Sequence, residues 1–449
     1  MSPLARRIVA GVAAIVVVAL AVLLWILRGP GPMAFAGGSK VALADYKGAN
    51  PAGVPANLAQ ASVVERGAYL AQAANCMPCH TTRDGKQYAG GLGFKLPFGT
   101  LYSTNITPDK ETGIGNYSDQ DFLNAMHRGI RRDGDRLYPA MPFTSYTYMT
   151  DADALAIKAY LFSLPPVRAE TPADTLTFPF NQRWTLAFWS ALFNPDTRFE
   201  PDTSQSPEWN RGAYLSEALA HCGECHTPRN LAFALDNREK FAGEVTAGWR
   251  AFNITSDKAT GIGGWRDEDL GAYLSTGHAD GHGTASGPMG EAVDHSLSQV
   301  APEDIRAMVA YLRTIPALPS PDLPASRAPP APASHKQGGG TAEARGKAIF
   351  QGACVSCHGW TGESPLSPFA TLVGTWAVND PTATNVAQIV ISGTERHVPE
   401  DAISMPAFGD AYSDVEIAAV ANYVTARFGS QPSHLTAQDV AKLRNETSQ

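Results

Sequence analysis

The chain has six cysteines, and all of them fall into three Cys-x-x-Cys-His motifs: Cys76-Met77-Pro78-Cys79-His80, Cys222-Gly223-Glu224-Cys225-His226 and Cys354-Val355-Ser356-Cys357-His358. Two thiols at this spacing add to the two vinyl groups of one haem, while the adjacent histidine lies beneath the ring and ligates its iron. Structural zinc would use cysteine pairs in twos, and three pairs separated by 146 and 132 residues leave one unpartnered. A redox dithiol needs no following histidine, yet each pair has one in a chain with only 11 histidines among 449 residues. The motifs therefore predict three covalent haem c groups, attached at Cys76, Cys79, Cys222, Cys225, Cys354 and Cys357 and ligated by His80, His226 and His358.

A sixth ligand is usually a methionine on a loop before the last helix of such a unit, and its thioether raises the reduction potential. Each third of the chain offers one: Met141 in Leu-Tyr-Pro-Ala-Met-Pro, Met289 after Gly287-Pro288, and Met405 before Pro406. They follow His80, His226 and His358 by 61, 63 and 47 residues, consistent with one architecture used three times. Met126 or Met149 could replace Met141, and His278, His282, His295 or His397 could ligate instead and lower the potential.

Long-period self-similarity supports the repeat. Arg66-Gly67-Ala68-Tyr69-Leu70 leads into the first motif, Arg211-Gly212-Ala213-Tyr214-Leu215 into the second, and Arg345-Gly346-Lys347-Ala348-Ile349 into the third. Asn105-Ile106-Thr107 recurs as Asn253-Ile254-Thr255, and the third unit lacks it, in keeping with its shorter histidine-to-methionine distance. Each unit closes with a helix: Thr150 to Leu164, Pro302 to about Ile315, and one opened by Ser413 and Glu416 as a capping box. Tyr160, Tyr311 and Tyr423 occupy the same place in each and read as core. A glycine-bearing leading helix crossing a closing helix, with the haem motif between, suits the small class I cytochrome c fold. The expected class is all-α, with three tandem class I cytochrome c domains behind one N-terminal transmembrane helix.

That helix is expected from Ile8 to Leu27, 20 uncharged and mostly apolar residues, about what a ~30 Å hydrocarbon core requires. Arg6 and Arg7 precede it, which places the N-terminus in the cytoplasm and the haem domains in the periplasm of a bacterial inner membrane. The alternative is a cleaved secretion signal, for which Ala34-Phe35-Ala36 provides a small-residue site. The expected organisation is 1–30 anchor, 31–60 tether, 61–170 first domain, 171–205 aromatic interdomain segment and 206–318 second domain. It continues with 319–341 as a Pro/Gly-rich linker, 342–430 as the third domain and 431–449 as a C-terminal tail. The linker suggests that the third domain is the most mobile. A net charge of -8 and a pI near 5.8 give no field for nucleic acid.

Between the first two domains, Phe178-Pro179-Phe180-Asn181-Gln182-Arg183-Trp184 continues through Phe188, Trp189 and Phe193. So many aromatics suit packing between domains or docking on a membrane or partner. Trp184, Phe188 and Trp189 are candidate quinone or membrane contacts.

The repeated Arg-Gly-Ala-Tyr-Leu, Asn-Ile-Thr, Leu137-Tyr138-Pro139-Ala140-Met141-Pro142 and Phe178 to Trp184 together resemble a known family, over about residues 60 to 445. These are the triheme cytochrome c subunits of bacterial membrane-bound dehydrogenases that oxidise alcohols, aldehydes, sugars or N-heterocycles. The resemblance implies an electron-transfer, quinone-reducing subunit, passing electrons from a catalytic subunit through the haems to ubiquinone. A substrate-oxidising site of its own is not expected, since no phosphate loop, nucleophile elbow or ligand-spaced carboxylate cluster stands in the sequence. Gly281-His282-Gly283 with Ser286 to Met289 and Val293 to Ser296 look closer to cytochromes paired with a molybdopterin subunit and a small [2Fe-2S] subunit, so an aldehyde dehydrogenase complex is favoured. The alcohol dehydrogenase cytochrome usually has a cleaved signal and a longer C-terminal extension, whereas this chain keeps its apolar run and stops soon after Leu443. A PQQ-dependent alcohol dehydrogenase or FAD-dependent sugar dehydrogenase partner is the alternative. A stand-alone electron carrier is a second, and a peroxidase-like haem enzyme would need an open sixth position.

Overall fold

A computed structural model describes residues 2–320, 323, 341–398 and 401–446. In each of three units a leading helix crosses a closing helix at a glycine. The pairs are Val63–Ala73 with Asp151–Ser163, Pro207–Tyr214 with Pro302–Leu312, and Thr341–Ile349 with Asp414–Phe428. A Cβ on Gly67 would run into the carbonyl oxygen of Ala156, one on Gly212 into that of Ala307, and one on Gly346 into that of Ala419. The next neighbour in each case is the Cβ of Tyr160, Tyr311 or Tyr423, at 3.0, 2.9 and 2.8 Å. The three units thus use one backbone-to-backbone crossing, which any side chain at the glycine would wedge apart.

Capping follows the expected chemistry. Ser62 with Glu65 and Ser413 with Glu416 form capping boxes, the Thr150 side chain accepts from Asp153 N, and Pro302 opens its helix. In the second and third units the chain then leaves the leading helix through a wide π turn, Leu215–Leu219 and Phe350–Cys354, to present the cysteines.

The all-α expectation needs correction. Two-stranded antiparallel hairpins occur at Gly93–Leu96 with Gly99–Tyr102, Glu244–Thr246 with Trp249–Ala251, His278–Ala279 with Gly283–Thr284, and Thr394–Val398 with Asp401–Met405. Strands of two to five residues are too short to leave a readable alternation in the sequence.

The first two units share one hydrophobic core, which Trp376 of the third unit joins, and the third unit has a second core of its own. Across the first pair, equivalent residues make equivalent contacts. Tyr69 donates to Asp304 and Tyr214 to Asp153, each at 2.5 Å, while Ala301 N and Thr150 N donate to the two hydroxyls at 3.2 Å. This reciprocity is that of an isologous dimer built within one chain. Ala348 stands where the third unit would need the tyrosine. That unit docks differently: Arg396, 1% exposed, pairs with Asp294 at 2.7 Å and donates to the Ala285 and Thr276 carbonyls at 3.1 Å. Trp376 meets Phe252 edge-on at 5.0 Å, and Gln388 donates to the Gly248 carbonyl. The expectation of a loosely held third domain therefore gives way to a buried seam with the second unit. The linker that suggested it lies mostly outside the described residues.

The segments expected as a tether and a C-terminal tail make defined contacts over their described residues. In the 31–60 tether, Val41 N donates to Pro201 O, and Arg211 donates to the carbonyls of Pro51 and Gly53 at 2.8 and 2.9 Å. Its side chains join in as well: Met33 is buried in the core, Phe35 meets Tyr311 at 6.1 Å, and Tyr46 accepts from Asn210 at 3.2 Å. In the 431–449 tail, helix Ala437–Glu446 buries Val440 and Leu443, and Arg444 pairs with Asp414 at 2.6 Å. Helix Pro3–Arg28 has 26 residues, and its most apolar 18-residue stretch has mean hydropathy 3.0 and is not buried, so it is long and apolar enough to cross a membrane.

Candidate haem sites and their surroundings

Each motif histidine is oriented by a backbone carbonyl. His80 Nδ1 lies 2.7 Å from Thr104 O, His226 Nδ1 2.6 Å from Phe252 O, and His358 Nδ1 2.6 Å from Ala370 O. A carbonyl can only accept, so Nδ1 carries the proton and Nε2 keeps its lone pair for a metal. Burial holds all three imidazoles below their ordinary pKa, which keeps them neutral as ligation requires. Thr104 and Phe252 each directly precede an Asn-Ile-Thr motif. The asparagine side chain is what fixes that loop. Asn105 donates to Val167 O and accepts from Thr107 N, and Asn253 does the same with Leu318 O and Thr255 N. The repeat noted in the sequence is thus a positioning device, a role sequence reasoning did not assign.

The cysteines are unpaired with one another. Burial pushes Cys76, Cys79 and Cys222 up to about 12 and Cys225 and Cys354 up to about 11. Such thiols are not the low-pKa nucleophiles of a redox dithiol. Among the described residues no group of three or more His, Cys, Asp and Glu is arranged to hold a metal ion by itself, as a zinc site requires. Paired thiols beside an oriented, neutral histidine fit haem c.

Met141, Met289 and Met405 are all half-buried against the cores, each with part of its surface open. The alternatives Met126 and Met149 are 5% and 0% exposed and serve as core. His278 is bound between Thr284 and Asp280, and His282 is stacked on Trp265 at 3.8 Å. His295 ends helix Gly287–His295, and the His397 side chain lies outside those described.

The first two sites interlock. Thr144 and Ser145, which closely follow Met141, donate to Glu224 inside the second motif, and Arg229 pairs with that carboxylate at 2.7 Å. Conversely, the helix that carries Met289 packs on the Cys76–Cys79 turn. Between the second and third sites, the acceptor residue Phe252 meets Trp376, and Phe369, next to the acceptor Ala370, takes a hydrogen bond from Thr284. A cavity of about 220 Å³ lined by His278, Asp280, Thr371 and Thr375 opens in that seam. Beneath the second motif lies a buried network missed by sequence reasoning: Lys240 pairs with Glu217 at 2.7 Å, and Tyr311 donates to the same carboxylate at 2.6 Å.

Of the aromatic candidates, Trp184 and Phe188 are exposed, at 65% and 67%. Trp189 is turned inward, donating to Ala232 O at 2.7 Å and meeting Phe143 edge-on.

The fold and the repeated motif define a cytochrome c. Residues 64–165 match the profile described as "Cytochrome c", and residues 341–424 match "Cytochrome C oxidase, cbb3-type, subunit III". The chain is 38% identical to the fructose dehydrogenase cytochrome subunit of Gluconobacter japonicus, over 85% of this chain and 82% of that one. It is 36% identical to the gluconate 2-dehydrogenase cytochrome c subunit of Pantoea cypripedii, over 86% and 90%. A nicotinate dehydrogenase subunit of Pseudomonas putida is 40% identical over 82% of this chain but only 31% of its own length. The chain belongs to the family of cytochrome c subunits of membrane-bound dehydrogenases, and its cytochrome c domains imply haem c.

Proposed function

We propose that this chain carries electrons through three haem c groups from a periplasmic dehydrogenase catalytic subunit to ubiquinone. The observation that carries the reading is the threefold recurrence of a cysteine pair beside a histidine whose Nδ1 is held by a carbonyl. Cys76, Cys79, Cys222, Cys225, Cys354 and Cys357 would hold the porphyrins, His80, His226 and His358 would be the proximal ligands, and Met141, Met289 and Met405 the distal ones. The haem supplies one-electron redox chemistry. The protein orients the ligands, buries the rings and sets their spacing. The contacts of the second unit with both others support a place for it in the middle of the relay.

Relatives named for fructose, gluconate and nicotinate leave the substrate open. The stretch that favoured a molybdopterin and [2Fe-2S] partner touches the third unit at one end, where Gly283 lies against Thr375 and the Gly281 carbonyl lies under Gly374, while Gly281, Pro288 and His295 are exposed. An aldehyde-oxidising complex is still the partner to test first, against PQQ- and FAD-dependent ones. Affinity purification of the native complex from membranes is expected to bring down a catalytic subunit whose cofactor decides among them. A lone reducible chain would sink the dehydrogenase role. The mass of the purified chain is expected to exceed the polypeptide's by three haems, and Cys354→Ser with Cys357→Ser to remove one. Retention of the same haem content in that variant counts against a third site.

A further inference from the structure

Helix Leu186–Phe193 is built inside out for a protein bathed only in water. Its one polar residue, Ser190, is buried with Leu186, while Phe188 points outward at 67% exposure. A surface helix in water shows the opposite pattern. Trp184 and Phe178, at 65% and 78%, extend the same apolar surface along the chain. From the second unit a loop adds Leu231, 94% exposed, and Phe233, 47%. The two pieces are joined, because Trp189 of the helix donates to Ala232 of the loop.

The surface is also fixed to the membrane-length helix. Asn230 donates to the Leu27 carbonyl at 2.8 Å and Asn237 to that of Pro30 at 3.1 Å, and helix Leu186–Phe193 packs against Pro3–Arg28. The last turn of that helix exposes Trp25 at 77%. The exposed aromatics therefore begin where an apolar helix of bilayer-spanning length ends. We propose that residues 178–193 and 230–234 form a collar that lies on the lipid bilayer around the foot of helix Pro3–Arg28, with Phe188, Trp184 and Leu231 in the interfacial layer. Aromatic residues favour this layer, and an apolar face seated there is withdrawn from water by ~5–10 Å. An uncovered patch of this kind otherwise favours association between molecules.

The collar is tied to the first unit. Arg183 pairs with Asp174 at 2.5 Å and donates to Arg136 O at 2.6 Å, and Phe180 stacks on Phe98 at 4.0 Å. Tyr138, three residues before Met141, donates to Phe180 O at 2.5 Å. Seating the collar on lipid brings the Met141 loop of the first unit next to the membrane, where a lipid-soluble electron acceptor resides. This part rests on the function proposed above, and the lipid contact itself does not.

The test uses the full-length chain in native membranes with photoreactive p-benzoylphenylalanine in place of Phe188 or Leu231. Irradiation is expected to give lipid adducts at both positions, and at least fivefold less at Leu366, a control in the third unit that is 71% exposed. Adducts to another protein subunit at 188 and 231, or lipid labelling no stronger than at 366, overturns the proposal. So does a mature chain lacking residues 1–36. Haem content is read on the same samples. Haem-free protein that still labels lipid would refute the electron-transfer reading and leave the collar standing.

Discussion

Asp304→Ala is expected to destabilise the joined first and second units by about 3–5 kcal/mol, the range for removing one partner of a buried ion pair. Asp304 is 3% exposed and accepts from Tyr69 of the first unit while pairing with Arg211 of its own. Its loss leaves a guanidinium that is 13% exposed without its counter-charge, and a tyrosine hydroxyl without its acceptor. The reciprocal variant Asp153→Ala is expected to cost less, about 1–3 kcal/mol, because Asp153 accepts from Tyr214 and from Gly53 N but has no arginine partner among the described residues. Denaturant unfolding of the detergent-solubilised chain, followed by haem absorbance, ranks the two. Equal midpoints would contradict the asymmetry, and unchanged midpoints would show that the two units do not depend on this seam.

Much of the internal architecture was legible because it recurs. Arg-Gly-Ala-Tyr-Leu announced both the glycine crossing and, at Tyr69 and Tyr214, the residues that join the units, although no one-dimensional signal assigns those tyrosines a partner. Asn105 and Asn253 stood out as a repeat, but nothing in their spacing says that they brace carbonyls 24 and 26 residues beyond a histidine. Arg396 was illegible for a different reason. It occurs once, and its acceptors Thr276 and Ala285 are 120 and 111 residues away. Composition misled at residues 31–60, where Gly and Pro serve backbone contacts instead of flexibility. Position misled at Ala437–Glu446, where closeness to the end of the sequence suggested a tail although Val440 and Leu443 have helical spacing.

Gly346→Val and Gly212→Val place the same side chain in the same crossing, and their different reach follows from how the cores are divided. At both positions the new Cβ meets a carbonyl oxygen of the closing helix, which cannot rotate away as a side chain would. The penalty is expected to lie at or above the ~3 kcal/mol upper range for overpacking, because relief requires the helices to separate. In the third unit the core that Gly346 borders is separate from the shared one, bounded by Phe350, Ile417, Val424 and Phe428, and the unit reaches the shared core through Trp376. Gly346→Val should therefore expose the third unit to protease while the first two remain intact. The second unit shares its core with the first, through Leu70 and Tyr146 on one side and Tyr214 and Tyr311 on the other. Gly212→Val should consequently render both units sensitive together. Limited proteolysis with fragment masses separates the cases, and loss of the first unit in Gly346→Val, or its survival in Gly212→Val, would mean that the cores are not partitioned in this way.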